Sequence, residues 1–150
     1  MGKFEEEIKQ FVFTNDIHKA ILNIIYTANF INNRNALFFK EYGILGQHYN
    51  ILRIVRGRKG EAVSPGQIIE VMMDKGRDLT RLVDKLVING YLKRNPSKSN
   101  RRKIDITITE EGLNVTNEIE TKINNWIDSK IKIPEIDARK LNEFLDEIRK

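Results

Sequence analysis

The stretch Asp78-Leu79-Thr80-Arg81-Leu82-Val83-Asp84-Lys85-Leu86-Val87, followed by Gly90-Tyr91-Leu92-Lys93-Arg94, decides how the chain is read. Leu79, Leu82, Val83, Leu86 and Val87 recur at i, i+3, i+4, i+7 and i+8, the spacing of one buried helical face. Thr80, Arg81, Asp84, Lys85 and Ile88 are left on the other side. Asp78 is placed to cap this helix and Gly90 to stop it. Upstream, Ser64-Pro65-Gly66-Gln67 starts another short helix over residues 65–73. Ser64 can cap it, Pro65 suits the first helical position, and Gln67 completes a capping box. The turn Asp74-Lys75-Gly76-Arg77 joins the two, with Gly76 suited to a left-handed conformation. Two short helices joined by a tight glycine-containing turn are a helix-turn-helix. The exposed face of its second helix is the surface that enters a DNA major groove.

Downstream of Gly90 the period changes from helical to two. Tyr91-Leu92-Lys93-Arg94 is strand-like, and Ile104, Ile106 and Ile108 alternate with Asp105, Thr107 and Thr109. Between them lies a polar segment, residues 95–102, so the pattern predicts a β-hairpin with a basic tip. A basic hairpin directly after a helix-turn-helix makes a winged helix. Its tip has the charge to follow phosphates and the arginines to enter a narrow minor groove.

Further out, the chain reads as helices. Gly46 opens one that runs over residues 46–56, with Tyr49, Leu52 and Val55 near one face. Before it, Ile17, Ile21, Ile24, Ala28, Ile31, Phe38 and Tyr42 alternate in steps of four and three, with Asn35 at the missing step. That predicts a helix over residues 16–42, on the order of 40 Å long, too long for the rest of so small a domain to cover. Residues 3–13 suggest a shorter helix ahead of it. At the other end a long helix starts at Thr109 or Glu110, with Leu113, Thr116, Ile119, Ile123, Trp126 and Ile127 on its apolar face. Pro134 interrupts the chain. Asp137 is expected to cap a last helix striped by Leu141, Phe144, Leu145 and Ile148. The expected fold is therefore mainly α with a small β-hairpin wing. It forms a single domain over residues 1–150, with a winged helix-turn-helix lobe at 44–109 between dimerisation helices at 1–43 and 110–150. Apolar stripes at both ends of the chain call for a second copy, and two-fold dimers are the commonest assembly.

Composition limits the alternatives. The chain has 150 residues, 26 Lys and Arg against 21 Asp and Glu, and a net charge of +5. Residues 74–103 hold ten basic residues and three acids, a surplus of seven, so the remaining 120 residues sum to −2. Residues 93–103 carry six basic residues and no acid. Such localised positive charge is the footprint of a polyanion partner. The absence of cysteine removes disulfides, thiolate metal sites and cysteine nucleophiles together. His18 and His48 stand 30 residues apart on different predicted helices, so no metal or cofactor is expected. Gly57-Arg58-Lys59-Gly60 lacks the spacing and hydroxyl of a phosphate loop, and nothing else suggests an enzyme. The acidic start and the short apolar runs predict no signal peptide and no membrane span, hence a cytoplasmic protein.

The sequence resembles the multiple antibiotic resistance regulator (MarR) family of bacterial transcription factors. The residues that carry the resemblance are 78–87 with 90–94, which look like the family's recognition helix and entry to the wing. Asn100-Arg101-Arg102, with residues 104–112, looks like its wing and following helix. Residues 47–54 resemble its second helix, and the element order matches over about 16–150. The family's wing usually has Asp two residues before its minor-groove Arg, whereas here Asn100 precedes Arg102. The resemblance implies a homodimer on a pseudo-palindromic double-stranded DNA operator, with recognition helices in major grooves roughly 34–36 Å apart. It also implies a repressor released by a small phenolic or other aromatic effector. The oxidant-sensing mechanism of other relatives needs cysteine and is excluded here.

Within that frame Arg81 and Lys85 are placed for guanine edges. Thr80 is placed for a phosphate or a thymine methyl, and Ser64 and Arg77 for phosphates at helix starts. Lys98, Arg101 and Arg102 belong to the wing. Asp84, unfavourable near phosphates, is expected to orient Arg81 or Lys85 or to accept from a cytosine amine. Tyr26, Phe30, His48, Tyr49 and Arg53 are expected to line a ligand cleft between the helices at 16–42 and 46–56. The competing functional reading is a winged-helix module that binds protein instead of DNA. Six basic residues without an acid in the wing favour DNA.

Overall fold

The computed structural model describes residues 3–74, 78–97 and 104–150. In chain order they form α1 (Phe4–Ile8), α2 (Asp16–Lys40), α3 (Gly46–Arg56), α4 (Pro65–Val71), α5 (Leu79–Ile88), β1 (Leu92–Pro96), β2 (Ile104–Ile108), α6 (Glu110–Lys130) and α7 (Glu135–Ile148). The mainly helical winged helix-turn-helix with flanking helices is thus the observed fold.

Local signals set most of the boundaries. The Asn15 side chain accepts the His18 N–H at 2.8 Å and starts α2. Gly43, at φ +63, closes the end of that helix, where a Cβ is strained. Ser64 and Gln67 form the expected capping box: the Ser64 hydroxyl accepts the Gln67 N–H, and Gln67 Oε1 accepts the Ser64 N–H at 2.9 Å. The Thr109 hydroxyl accepts the Gly112 N–H at 2.9 Å and donates to the Gly90 carbonyl at 2.7 Å. One side chain thereby caps α6 and ties it to the corner that ends α5.

Three expectations are corrected. The helix expected over 3–13 stops at Ile8, because Lys9 turns left-handed at φ 54. Helix α4 stops at Val71 rather than 73. The Met73 N–H leaves the helix to donate to Asn50 Oδ1 on α3, so a tertiary partner satisfies it. The last helix begins with Pro134 as its N-cap residue, and the Pro134 carbonyl accepts from Asp137 and Ala138. Proline's fixed φ already suits a helix entry, which leaves Asp137 inside the first turn.

The hairpin pairs Leu92 with Ile108 and Pro96 with Ile104, antiparallel. Its second strand also exchanges two hydrogen bonds with Val63 just before α4, both at 2.9 Å. The core centres on the lobe and takes in α6 and the end of α2. Ile51 and Leu52 of α3, Ile68 of α4, Leu86 of α5, Ile106 of β2 and Ile119 of α6 are all fully buried. Removing one such side chain to Ala typically costs about 2–5 kcal/mol. The flanking helices are different. Only Phe39 of α2 is buried, and α7 buries none of its residues. Ile17, Ile25, Phe144 and Ile148 are all more than half exposed.

Candidate nucleic-acid interface

Helix α5 presents the two faces its sequence predicts. Leu79, Val83 and Leu86 are buried, and Leu82 and Val87 pack against them half-buried. This fixes the opposite face outward. The Arg81 side chain is 88% exposed, and Thr80 and Lys85 are exposed with it. The Asp78 carboxylate caps the helix on the Arg81 N–H and lies 3.4 Å from the Arg81 Nε. The guanidinium thus sits at the first turn of α5, and among the described residues Asp78 is its one ion-pair partner.

Asp84 has a different partner from those expected. Its Oδ1 lies 2.7 Å from Nη1 of Arg94 on β1, so it orients neither Arg81 nor Lys85. Arg94 has no role in the sequence reading, although a signal for it exists. It stands two residues after buried Leu92, on the same face of a period-2 strand, and that face packs on α5. The Ser64 hydroxyl is taken up by the cap of α4 and is half-buried. Arg77, Lys98, Arg101 and Arg102, together with Asn100, lie outside the described residues.

The five side chains expected to share a ligand cleft do not converge. Tyr26 and Phe30 line a hollow of about 260 Å³ with Phe4, Glu7 and Ile131. There the Tyr26 hydroxyl donates to Glu7 at 2.8 Å, which pushes the phenol pKa up. Tyr49 belongs to the core, its ring 5.2 Å from that of Phe39, and Arg53 lies over its outer side. His48 alone faces a second, larger and open cleft of about 630 Å³, between the end of α2, the start of α3 and α5. Ala36, Ile44, Leu45 and Leu82 give this cleft an apolar floor, and Lys40, Arg81 and Lys85 give it a cationic rim. The pattern at 16–56 could not separate the two, because both sets of aromatics sit at helical spacing.

His48 is a structural part of that wall. Its Nδ1 accepts the Leu45 N–H at 2.9 Å and so closes the first turn of α3. Burial holds its pKa below the usual histidine range, and nearby Lys85 adds to the effect. The ring is therefore neutral, with its proton on Nε2. Among the described residues no group of three or more His, Cys, Asp or Glu is placed to hold a metal ion. Likewise no helix among them is long and apolar enough to cross a membrane.

Comparison with known proteins agrees with this geometry. No family model matches the chain. It is 30% identical over 114 residues to the HTH-type transcriptional regulator PecS of Dickeya dadantii (strain 3937), across 75% of this chain and 69% of PecS. Its fold is similar to a putative MarR-like transcription regulator from Bacillus cereus, with a TM-score of 0.75 at 13% identity, over 89% of this chain and 96% of that one. It is similar as well to CouR from Rhodococcus jostii bound to p-coumaroyl-CoA, with a TM-score of 0.70 at 18% identity, over 91% and 95% of the two chains.

Proposed function

The chain belongs to the MarR family of DNA-binding transcriptional regulators, a family without enzymatic activity, and from that premise we propose that it acts in the cytoplasm as a homodimeric repressor of a pseudo-palindromic operator. The observation that carries the proposal is the outward Arg81, 88% exposed on a helix whose opposite face is locked in the core. Arg81 and Lys85 read guanine edges, Thr80 supports them, and the wing residues Lys98, Arg101 and Arg102 follow the backbone. The unburied face of α7 supports the dimer. Selection of bound fragments from genomic DNA, followed by mobility shifts at rising salt, tests the reading. A palindromic consensus bound with a steep salt dependence is the expected result. A module that binds only protein gives neither.

Release by a small ligand is part of the same proposal. The cleft at His48 joins an apolar floor to Lys40, Arg81 and Lys85, which suits a small aromatic carboxylate. CouR, whose structure holds p-coumaroyl-CoA, is a fold neighbour with an aromatic acyl group in its ligand, joined there to coenzyme A as a thioester. Because Arg81 and Lys85 belong to both surfaces, an anion in the cleft withdraws charge from DNA. Titration with aromatic carboxylates is expected to lower operator affinity, and Lys40→Ala to weaken that response while leaving ligand-free DNA binding in place.

A further inference from the structure

We propose that Arg94 and Asp84 are a positioning pair that fixes the angle between the recognition helix and the wing hairpin, and that Arg94 thereby governs DNA recognition without reading a base. The inference rests on the reading that α5 meets DNA and adds a residue to it. Asp84 lies in the middle of α5, on the face left outside, and its side chain is 47% exposed. An unpaired carboxylate there faces a polyanion and repels it. In the structure its Oδ1 is 2.7 Å from Arg94 Nη1, and Arg94 is itself only 30% exposed. The pair spans the corner formed by Gly90 at φ +79, which joins α5 to β1. Backbone bonds fix that corner on one side: the Tyr91 N–H donates to Leu86 and its carbonyl accepts from Thr109. The ion pair fixes it on the other, at mid-helix on α5 and mid-strand on β1.

Two consequences follow from the geometry. The Asp84 charge is cancelled where it would oppose phosphates. The hairpin direction is also set relative to the helix, so helix and wing address one duplex together. A direct phosphate contact by Arg94 makes opposite predictions, because Asp84 then only competes for the guanidinium.

The test is a double-mutant cycle in operator affinity with Asp84→Asn, Arg94→Gln and the two combined. Thermal unfolding and the salt slope are measured on each. On this proposal each single variant binds about three- to tenfold more weakly, and the combined variant is no worse than either single one. The slope of log affinity against log salt stays unchanged, and melting shifts little. Arg94→Lys restores part of the affinity. The proposal is overturned if Asp84→Asn binds more tightly than the parent, if Arg94→Gln lowers the salt slope by about two contacts, one from each copy, or if the two losses add. Absence of salt-sensitive DNA binding in the unmodified protein points instead to failure of the regulator reading.

Discussion

At Gly112 the fold leaves no room for a side chain. A Cβ there would stand 2.1 Å from the Tyr91 carbonyl oxygen and 2.9 Å from Ile108 Cγ1. Backbone oxygen cannot step aside, so Gly112→Ala is expected to destabilise the protein by roughly 2–4 kcal/mol, read as a lower melting temperature. Arg81 offers the contrasting case. Its side chain is almost fully solvated, so Arg81→Ala is expected to leave melting unchanged yet cost about 1–3 kcal/mol in operator affinity, with specificity relaxed at one base pair. His48 links chemistry to pH. Its neutral ring accepts the Leu45 N–H, and its pKa is held below the unfolded value of 6.5. The unfolded chain therefore takes up the proton first. This contribution to stability is complete above about pH 6.5 and declines as pH falls towards the folded pKa. Melting temperature between pH 7.5 and 5.5 should fall more steeply for the parent than for His48→Gln, since Gln can accept at the same helix position without titrating.

At the scale of elements, legibility followed the range of the interactions. Helix α3 runs over Gly46–Arg56 as its flanking glycines indicate, and α5 spans the expected residues, because caps and periodicity are local. What escaped the sequence is tertiary. Asn50 draws Met73 out of α4, Arg94 takes Asp84, and Val115 rather than Leu113 turns fully inward on α6. The same holds for the clamp between α3 and α6. Arg56 donates to both carboxylate oxygens of Glu120 at 2.8 and 2.9 Å, and to Asn117 at 2.8 Å. These hydrogen bonds from Arg56 hold the Glu120 carboxyl below its usual pKa. Both side chains are partly solvated, so Glu120→Gln is expected to cost at most about 1 kcal/mol at neutral pH. That difference should vanish in acid, as pH falls through the folded pKa and the parent loses the same charge. Unfolding of the two proteins in urea at each pH measures it.

For the whole molecule, the contrast between a packed core and the largely unburied α2 and α7 argues for assembly. Phe144 is 66% exposed and Leu141 46%, on a helix with no fully buried residue. Phe144→Asp is expected to shift the protein towards monomer in sedimentation, with operator affinity falling because half-sites are then bound singly. Arg102→Ala, present in both copies of the proposed dimer, is expected to weaken binding and to reduce the salt slope by about two. The unburied stripe of α7 was visible in the sequence as a pattern with no inner partner. The geometry of the second copy was not, since periodicity names a face and not its neighbour.

The double hydrogen bond between Val63 and Ile106 stitches the entry to α4 onto the hairpin, while Thr109 bolts α6 to the corner after α5. The reading head is thus one piece, like the jaw of a caliper. In the proposed dimer such a head moves as a unit, so a rearrangement of the two copies carries both of its teeth together. On that proposal, control acts on the gap between two jaws, and the expected outcome is an operator chosen by its half-site spacing while the letters each jaw prefers stay the same.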